Sequence, residues 1–119
     1  MAILNYGRNM AALAFGGSIS VYPSAIAIGI GSTTIALTDT TLTTITGCQA
    51  LTSTTYPAYN KVQFIADYNS VYMSGVNLTE FGLKSGASLT GSMITKSIIP
   101  ALEFDGTNEL RVELITEFY

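Results

Sequence analysis

The sequence predicts an all-β fold: an antiparallel β-sandwich, jelly-roll-like, with a short N-terminal helix or arm. Three observations carry this expectation. Threonine is abundant between residues 33 and 55, and threonine, valine, isoleucine and tyrosine suit a pleated, half-exposed sheet. Residues 60–69 and 108–118 alternate apolar and polar side chains, the period of a strand with one buried face. Turn chemistry recurs at short intervals, at Asn69-Ser70, Ser74-Gly75 and Asp105-Gly106-Thr107-Asn108. With 119 residues the chain is long enough for one modest core. It reads as a single domain, with residues 1–23 as the helix or arm and residues 24–119 as the sandwich.

The elements follow in order. Residues 3–15 have the only helical texture: Ile3, Tyr6 or Met10, Leu13 and Ala14 approximate a stripe, and Gly16-Gly17 ends it. This non-sheet segment is placed to plug an open end of the sandwich. Residues 24–31 read as a strand whose small face, Ala25, Ala27, Gly29 and Gly31, is packed closely by something else. Asp39 among threonines predicts an Asx- or ST-turn, in which side-chain oxygens bond nearby amides. Residues 43–55 predict one or two weaker strands. They carry no charge, so they need a partner or a cover.

Residues 60–69 form the clearest strand, with Val62, Phe64, Ala66 and Tyr68 on one face. Further strands are expected at 76–83, 91–99 and 108–118. In the last, Leu110, Val112 and Leu114 point inward, and Glu109, Arg111, Glu113 and Glu117 face solvent. Six to eight short strands in this pattern favour a sandwich over a parallel sheet.

Composition narrows the chemistry. Charged residues make up 11% of the chain and the net charge is −3, with five basic residues scattered singly. Nucleic-acid binding draws on clustered cations, so it is not expected. No apolar stretch reaches the length of a membrane span. Residues 10–15 are too short for a signal-peptide core and lack a basic leader. The single cysteine, Cys48, forms no internal disulfide and reads as a small, partly buried apolar residue.

There is no histidine for acid–base work near neutrality, and no zinc-binding set. Gly29-Ile-Gly31 lacks the lysine and following helix of a phosphate loop. Carboxylate pairs able to cleave glycosidic bonds would come from Asp67, Glu80, Asp105 and Glu113. Their spacing singles out no pair. No catalytic residue, cofactor or metal is expected.

The last third of the chain has a distinctive order. Gly75-Val-Asn-Leu-Thr-Glu-Phe-Gly-Leu83 is followed by a Gly/Ser turn and Gly91-Ser-Met-Ile-Thr-Lys-Ser-Ile-Ile-Pro100, then by an alternating strand from Asn108 to Phe118. Upstream, Gly29-Ile-Gly31-Ser-Thr33 precedes a Thr38-Asp39-Thr40-Thr41-Leu42 loop. This order resembles a family of small β-sandwich proteins in the particles of tailed bacterial viruses. Their chains share a Glu-x-Gly-Leu strand, a Gly-containing turn, a strand leading to an apolar-Pro corner, an acidic turn and a final strand.

The resemblance implies a non-enzymatic virion component on the capsid surface or an appendage. First among the roles it implies is a capsid decoration or cement protein, bound to the major capsid protein or another virion protein. The alternative is a tail-fibre, neck or capsid-appendage module that binds a host receptor or glycan. A homo-oligomer is expected, a trimer first and a pentamer second, since so few charges leave apolar surface to hide. The candidate interface residues are Tyr6, Met10, Leu13, Phe15, Tyr22, Tyr56, Tyr59, Tyr72 and Glu80. Tyrosines beside turns would also serve a sugar platform. The resemblance places a glutamate at position 80, read either as a subunit contact or ion site, or as a carboxylate tying a neighbouring loop's amides. Leu78 and Gly82 are expected to share its face.

Overall fold

A computed structural model of the chain describes residues 2–18, 23–69, 74–85, 93–105 and 109–118. The elements are β1 (Ala2–Ile3), α1 (Asn5–Phe15), β2 (Ala25–Gly29), β3 (Ile45–Ala50), β4 (Ser53–Ala58), β5 (Lys61–Tyr68), β6 (Ser74–Lys84), β7 (Thr95–Asp105) and β8 (Leu110–Glu117). They form two antiparallel sheets. One has the order β1-β7-β6-β2-β3, the other β4-β5-β8. The expected turns at Asn69-Ser70 and at residues 105–108 extend outside the described residues.

The period-2 strands do what their pattern requires. Phe64, Ala66 and Tyr68 of β5 are buried. Across an unbroken register from Lys61↔Glu117 to Tyr68↔Leu110, Phe64 stands opposite Leu114 and Ala66 opposite Val112. The first sheet answers with Ile26 and Leu83 in one cluster, and with Ile28 and Leu78 around Tyr68 in the next. This interdigitated layer between the sheets is the main core. The Tyr68 hydroxyl bonds the Ile26 carbonyl and accepts from the Gln49 amide at 3.2 Å, so its buried oxygen is satisfied.

Strand β2 is buried at all five positions, because it is covered on both faces. Ile26 and Ile28 enter the main core. On the other face Ala27 meets Leu4, Leu42 and Met93, flanked by Ile35 and Ile45. The segment between β2 and β3 therefore folds back over its own sheet, and it is what the small face of β2 accommodates.

Helix α1 has no side-chain cap at Leu4. Its start is held from outside instead: the Leu4 amide donates to the Ile94 carbonyl at 2.9 Å, and the Asn5 amide to Leu37 at 2.8 Å. Gly16-Gly17 ends it as expected. Gly17 takes φ +79, the left-handed conformation that favours glycine, and the Ser18 amide returns to the Leu13 carbonyl. The N-terminal segment is not wholly non-sheet. Ala2 and Ile3 pair with Lys96 and Thr95 as a short edge strand, and Leu4 is fully buried. Strand β7 also runs through Pro100 to Asp105 rather than turning there. The β6–β7 register shifts between Leu78 and Glu80, opposite residues 98–102, and a proline is tolerated where the ladder is interrupted.

The helix approaches the chain entering β7 so closely that a Cβ on Gly7 would lie 2.6 Å from the Ile94 carbonyl oxygen. Alanine is the better helix former by about 1 kcal/mol, yet overpacking costs about 1–3 kcal/mol, and a backbone carbonyl yields little. Gly7→Ala is therefore expected to destabilise the protein by about 1 kcal/mol net, read as a lowered urea midpoint.

Candidate functional site: an exposed contact surface over a buried polar layer

Among the described residues three charged side chains, Glu80, Lys84 and Lys96, are buried, a placement rare without partners. Glu80 stands opposite Gly29 in the β2–β6 register. Its Oε1 accepts from the Thr43 amide at 2.5 Å and its Oε2 from the Thr44 amide at 3.2 Å. Of the two readings of Glu80, the structure shows the tie to a loop's amides.

The glycines make room for it. A Cβ on Gly29 would lie 2.5 Å from the Thr44 carbonyl oxygen and 2.9 Å from Glu80 Cγ, and one on Gly31 would overlap the carboxylate. Leu78 does not share Glu80's surroundings. Beyond the register shift it packs with Ile28 and Tyr68.

The same loop is pinned a second time. Lys96 Nζ donates to Asp39 Oδ2 at 3.1 Å and to Thr43 Oγ1 at 3.2 Å, and the Ala36 amide donates to Asp39 Oδ2 at 3.0 Å. That is the side-chain-to-amide bond expected of Asp39. The Ala36 amide, then the Lys96 ammonium, hold the Asp39 carboxyl below its ordinary value against the opposing effect of desolvation. A depressed folded-state value means that the stabilisation is complete above the unfolded value, about pH 4, and is lost as pH falls through the folded one. The stability advantage of the wild type over Asp39→Asn should therefore be full at neutral pH and shrink towards pH 3, as measured by urea unfolding at both pH values.

The candidate contact residues separate into three groups. Tyr6, Met10, Leu13 and Phe15 share α1. Met10 is buried, Tyr6 bonds Ser85 Oγ at 3.1 Å, Leu13 is partly exposed, and Phe15 is 97% exposed. Tyr56 and Tyr59 stand at the end of β4 and the following turn, 77% and 101% exposed. Glu80 is buried and belongs to the support rather than the surface. Tyr22 and Tyr72 lie outside the described residues.

Phe118, which the sequence reading did not single out, connects the first two groups. Its amide donates to the Asn60 carbonyl at 2.9 Å, beside Tyr59. Its side chain, with Val62, Phe64, Met10, Ala14 and Ile94, lines an apolar cleft of about 290 Å³ between α1 and the ends of β5 and β8. The helix thus covers the end of the sandwich and leaves this cleft open. Phe118 is in phase with Leu110, Val112 and Leu114 and reads only as the end of the alternating strand. But β8 stops at Glu117, and the alternation does not say that the helix packs beside its last position.

Three of the four carboxylates considered for hydrolysis are engaged elsewhere. Asp67 bonds Arg111 Nε at 2.8 Å, Glu80 bonds the loop amides, and Glu113 accepts from Gln63 Nε2 at 3.2 Å. The Asp105 side chain is outside the described residues. Burial pushes the half-buried Cys48 thiol up, outweighing nearby Lys84, so the reactive thiolate is disfavoured. Among the described residues no group of three histidine, cysteine or acidic side chains is placed to hold a metal. No described helix is long and apolar enough to cross a membrane.

A polar cleft of about 530 Å³ lies at the far end of β5, lined by Gln49, Asp67, Asn69, Glu109 and Arg111. It is separated from Tyr59 by the eight residues of β5, about 25 Å of extended chain. The exposed tyrosines and the polar cleft therefore do not form one sugar-sized site.

The chain matches no protein-family model, and no curated protein matches it.

Proposed function

We propose that this chain is a structural, non-enzymatic subunit of a tailed bacterial virus particle, a capsid decoration protein that binds the major capsid protein and acts as a homo-oligomer. The jelly-roll-like wiring expected from the strand pattern is part of the same proposal.

One observation carries it. The two segments on which the resemblance rests are physically one unit: Glu80 of the Glu-x-Gly-Leu strand bonds the chain just after the Thr-Asp-Thr-Thr-Leu loop, and Leu42 of that loop is buried. The shared residues thus maintain a scaffold, and what the scaffold presents includes the exposed aromatics Phe15, Tyr56 and Tyr59, the residue class enriched in contact surfaces. The receptor- or glycan-binding alternative draws on the same tyrosines. It is less favoured, because their separation from the polar cleft leaves no combined site.

Mass spectrometry and a quantitative gel of purified particles test the proposal. Hundreds of copies per particle are expected of a decoration protein. A low copy number set by tail symmetry would transfer the chain to the neck or tail. Absence from the particle would overturn the reading.

A further inference from the structure

We infer that the outer edge of β4 is a self-association edge, pairing antiparallel with β4 of a second copy across a two-fold axis. The inference deepens the proposed function and rests on its homo-oligomer.

Strand β4 is unusual within this fold. Residues 53–57 are exposed at every position, on both faces of the strand. Its inner neighbour is β5, and among the described residues nothing pairs with its other side. A strand exposed on both faces and along one edge gains almost nothing from burial, although its backbone groups on the open edge are ready to accept another strand.

The free edges differ in charge and cover: β3, at the edge beside β2, is as uncharged as β4, but only Thr46 and Ala50 of its six residues are exposed. Strand β8, at the opposite edge of the same sheet, carries Arg111, Glu113 and Glu117, and β7, covered only at its start by β1, carries Pro100 and Glu103. Charged side chains and proline are the usual protection of an edge against pairing. Residues 40–60, spanning β3, β4 and the turn after it, carry no charge at all. On β4 the only protection is Pro57, with a register shift between Thr55 and Ala58, so residues 53–56 remain open to pairing.

The neutrality of this edge selects the occupant. Self-pairing across a two-fold axis sets a strand against its own sequence, so any charge near the axis meets its like, at a cost. Ser53, Thr54, Thr55 and Tyr56 meet only hydroxyl and aromatic groups, whose cross-strand pairs are favourable. A charged partner strand would find no counter-charge here. Pairing two copies joins their three-stranded sheets into one of six strands and covers Tyr56. The contact is isologous, so the assembly is a dimer or is built from such dimers.

The test is sedimentation of the full chain together with hydrogen exchange. The wild type is expected to form an even-numbered oligomer, with amides of residues 53–56 protected more at high than at low concentration. Thr54→Lys places a charge on this exposed edge, and association should weaken by at least about tenfold, with an unchanged circular dichroism spectrum. Tyr56→Lys is a second variant should the first fold poorly, and Glu113→Lys on β8 should leave association unchanged.

A trimer or pentamer, or an oligomer that both lysine variants leave intact, overturns the β4 edge while the homo-oligomer stands. A wild type that is monomeric in solution and on the particle removes both.

Discussion

Glu80→Ala is expected to lower the unfolding free energy by about 2–4 kcal/mol, because bonds to a charged acceptor contribute about 1.5–3 kcal/mol each and these are only partly buried. The substitution removes the acceptor of two amides, Thr43 and Thr44. It also opens a gap beneath a loop that two glycines had been placed to admit, since neither Gly29 nor Gly31 has a side chain to fill it. Glu80→Gln keeps the shape and one carbonyl acceptor but turns an amide group towards the second N–H, so about half the loss is expected. Urea unfolding at neutral pH measures both. Hydrogen exchange locates the effect: the Thr43 and Thr44 amides should exchange faster, whereas those across the β5–β8 ladder should not. An Ala variant as stable as the wild type would show that the loop is held by Leu42 and Lys96 alone.

What the sequence made legible follows from how each element is held. Strands β5 and β8 were plain because one face is buried and the other wet, so the period-2 pattern is enforced residue by residue. Strand β2 was legible in a different way. Its Ala and Gly positions required close packing without saying by what, and the covering loop comes from the next segment of chain.

The helix start and β1 were not legible at their true positions. Carbonyls of Ile94 and Leu37, far along the chain, replace a capping side chain, and two strand residues have no period to read. The extension of β7 past Pro100 was hidden for a related reason. Proline signals a break unless the ladder is interrupted opposite it, which only the partner strand reveals. For the candidate surface, the exposure of Phe15, Tyr56 and Tyr59 agreed with their positions beside turns or helix ends. Glu80 was legible as an acid among small neighbours, which is why its alternatives could be stated before its partners were known.

Removing residues 1–15 is expected to unfold the domain, or cost it about 5 kcal/mol or more, a large share of the usual 5–15 kcal/mol. Leu4 is fully buried against Ala27, Leu42 and Met93, and truncating such a leucine costs about 2–5 kcal/mol by itself. The deletion also removes buried Met10, the β1 pairing with Thr95 and Lys96, and the donors to Ile94 and Leu37. Loss of the helix would uncover the apolar cleft formed with Val62, Phe64 and Phe118. Such a deletion therefore does not isolate a contact role for the N-terminal segment, because failure to bind and failure to fold coincide.

Phe15→Asp separates the two. Phe15 is 97% exposed, and surface substitutions usually change stability by less than about 0.5 kcal/mol. Its loss should leave the urea midpoint near that of the wild type while weakening attachment to particles, if α1 faces the capsid. Full occupancy by this variant would move the capsid contact away from the end of α1. A stable, cooperatively folding chain without residues 1–15 would show that Leu4 and Met10 contribute far less than their burial implies.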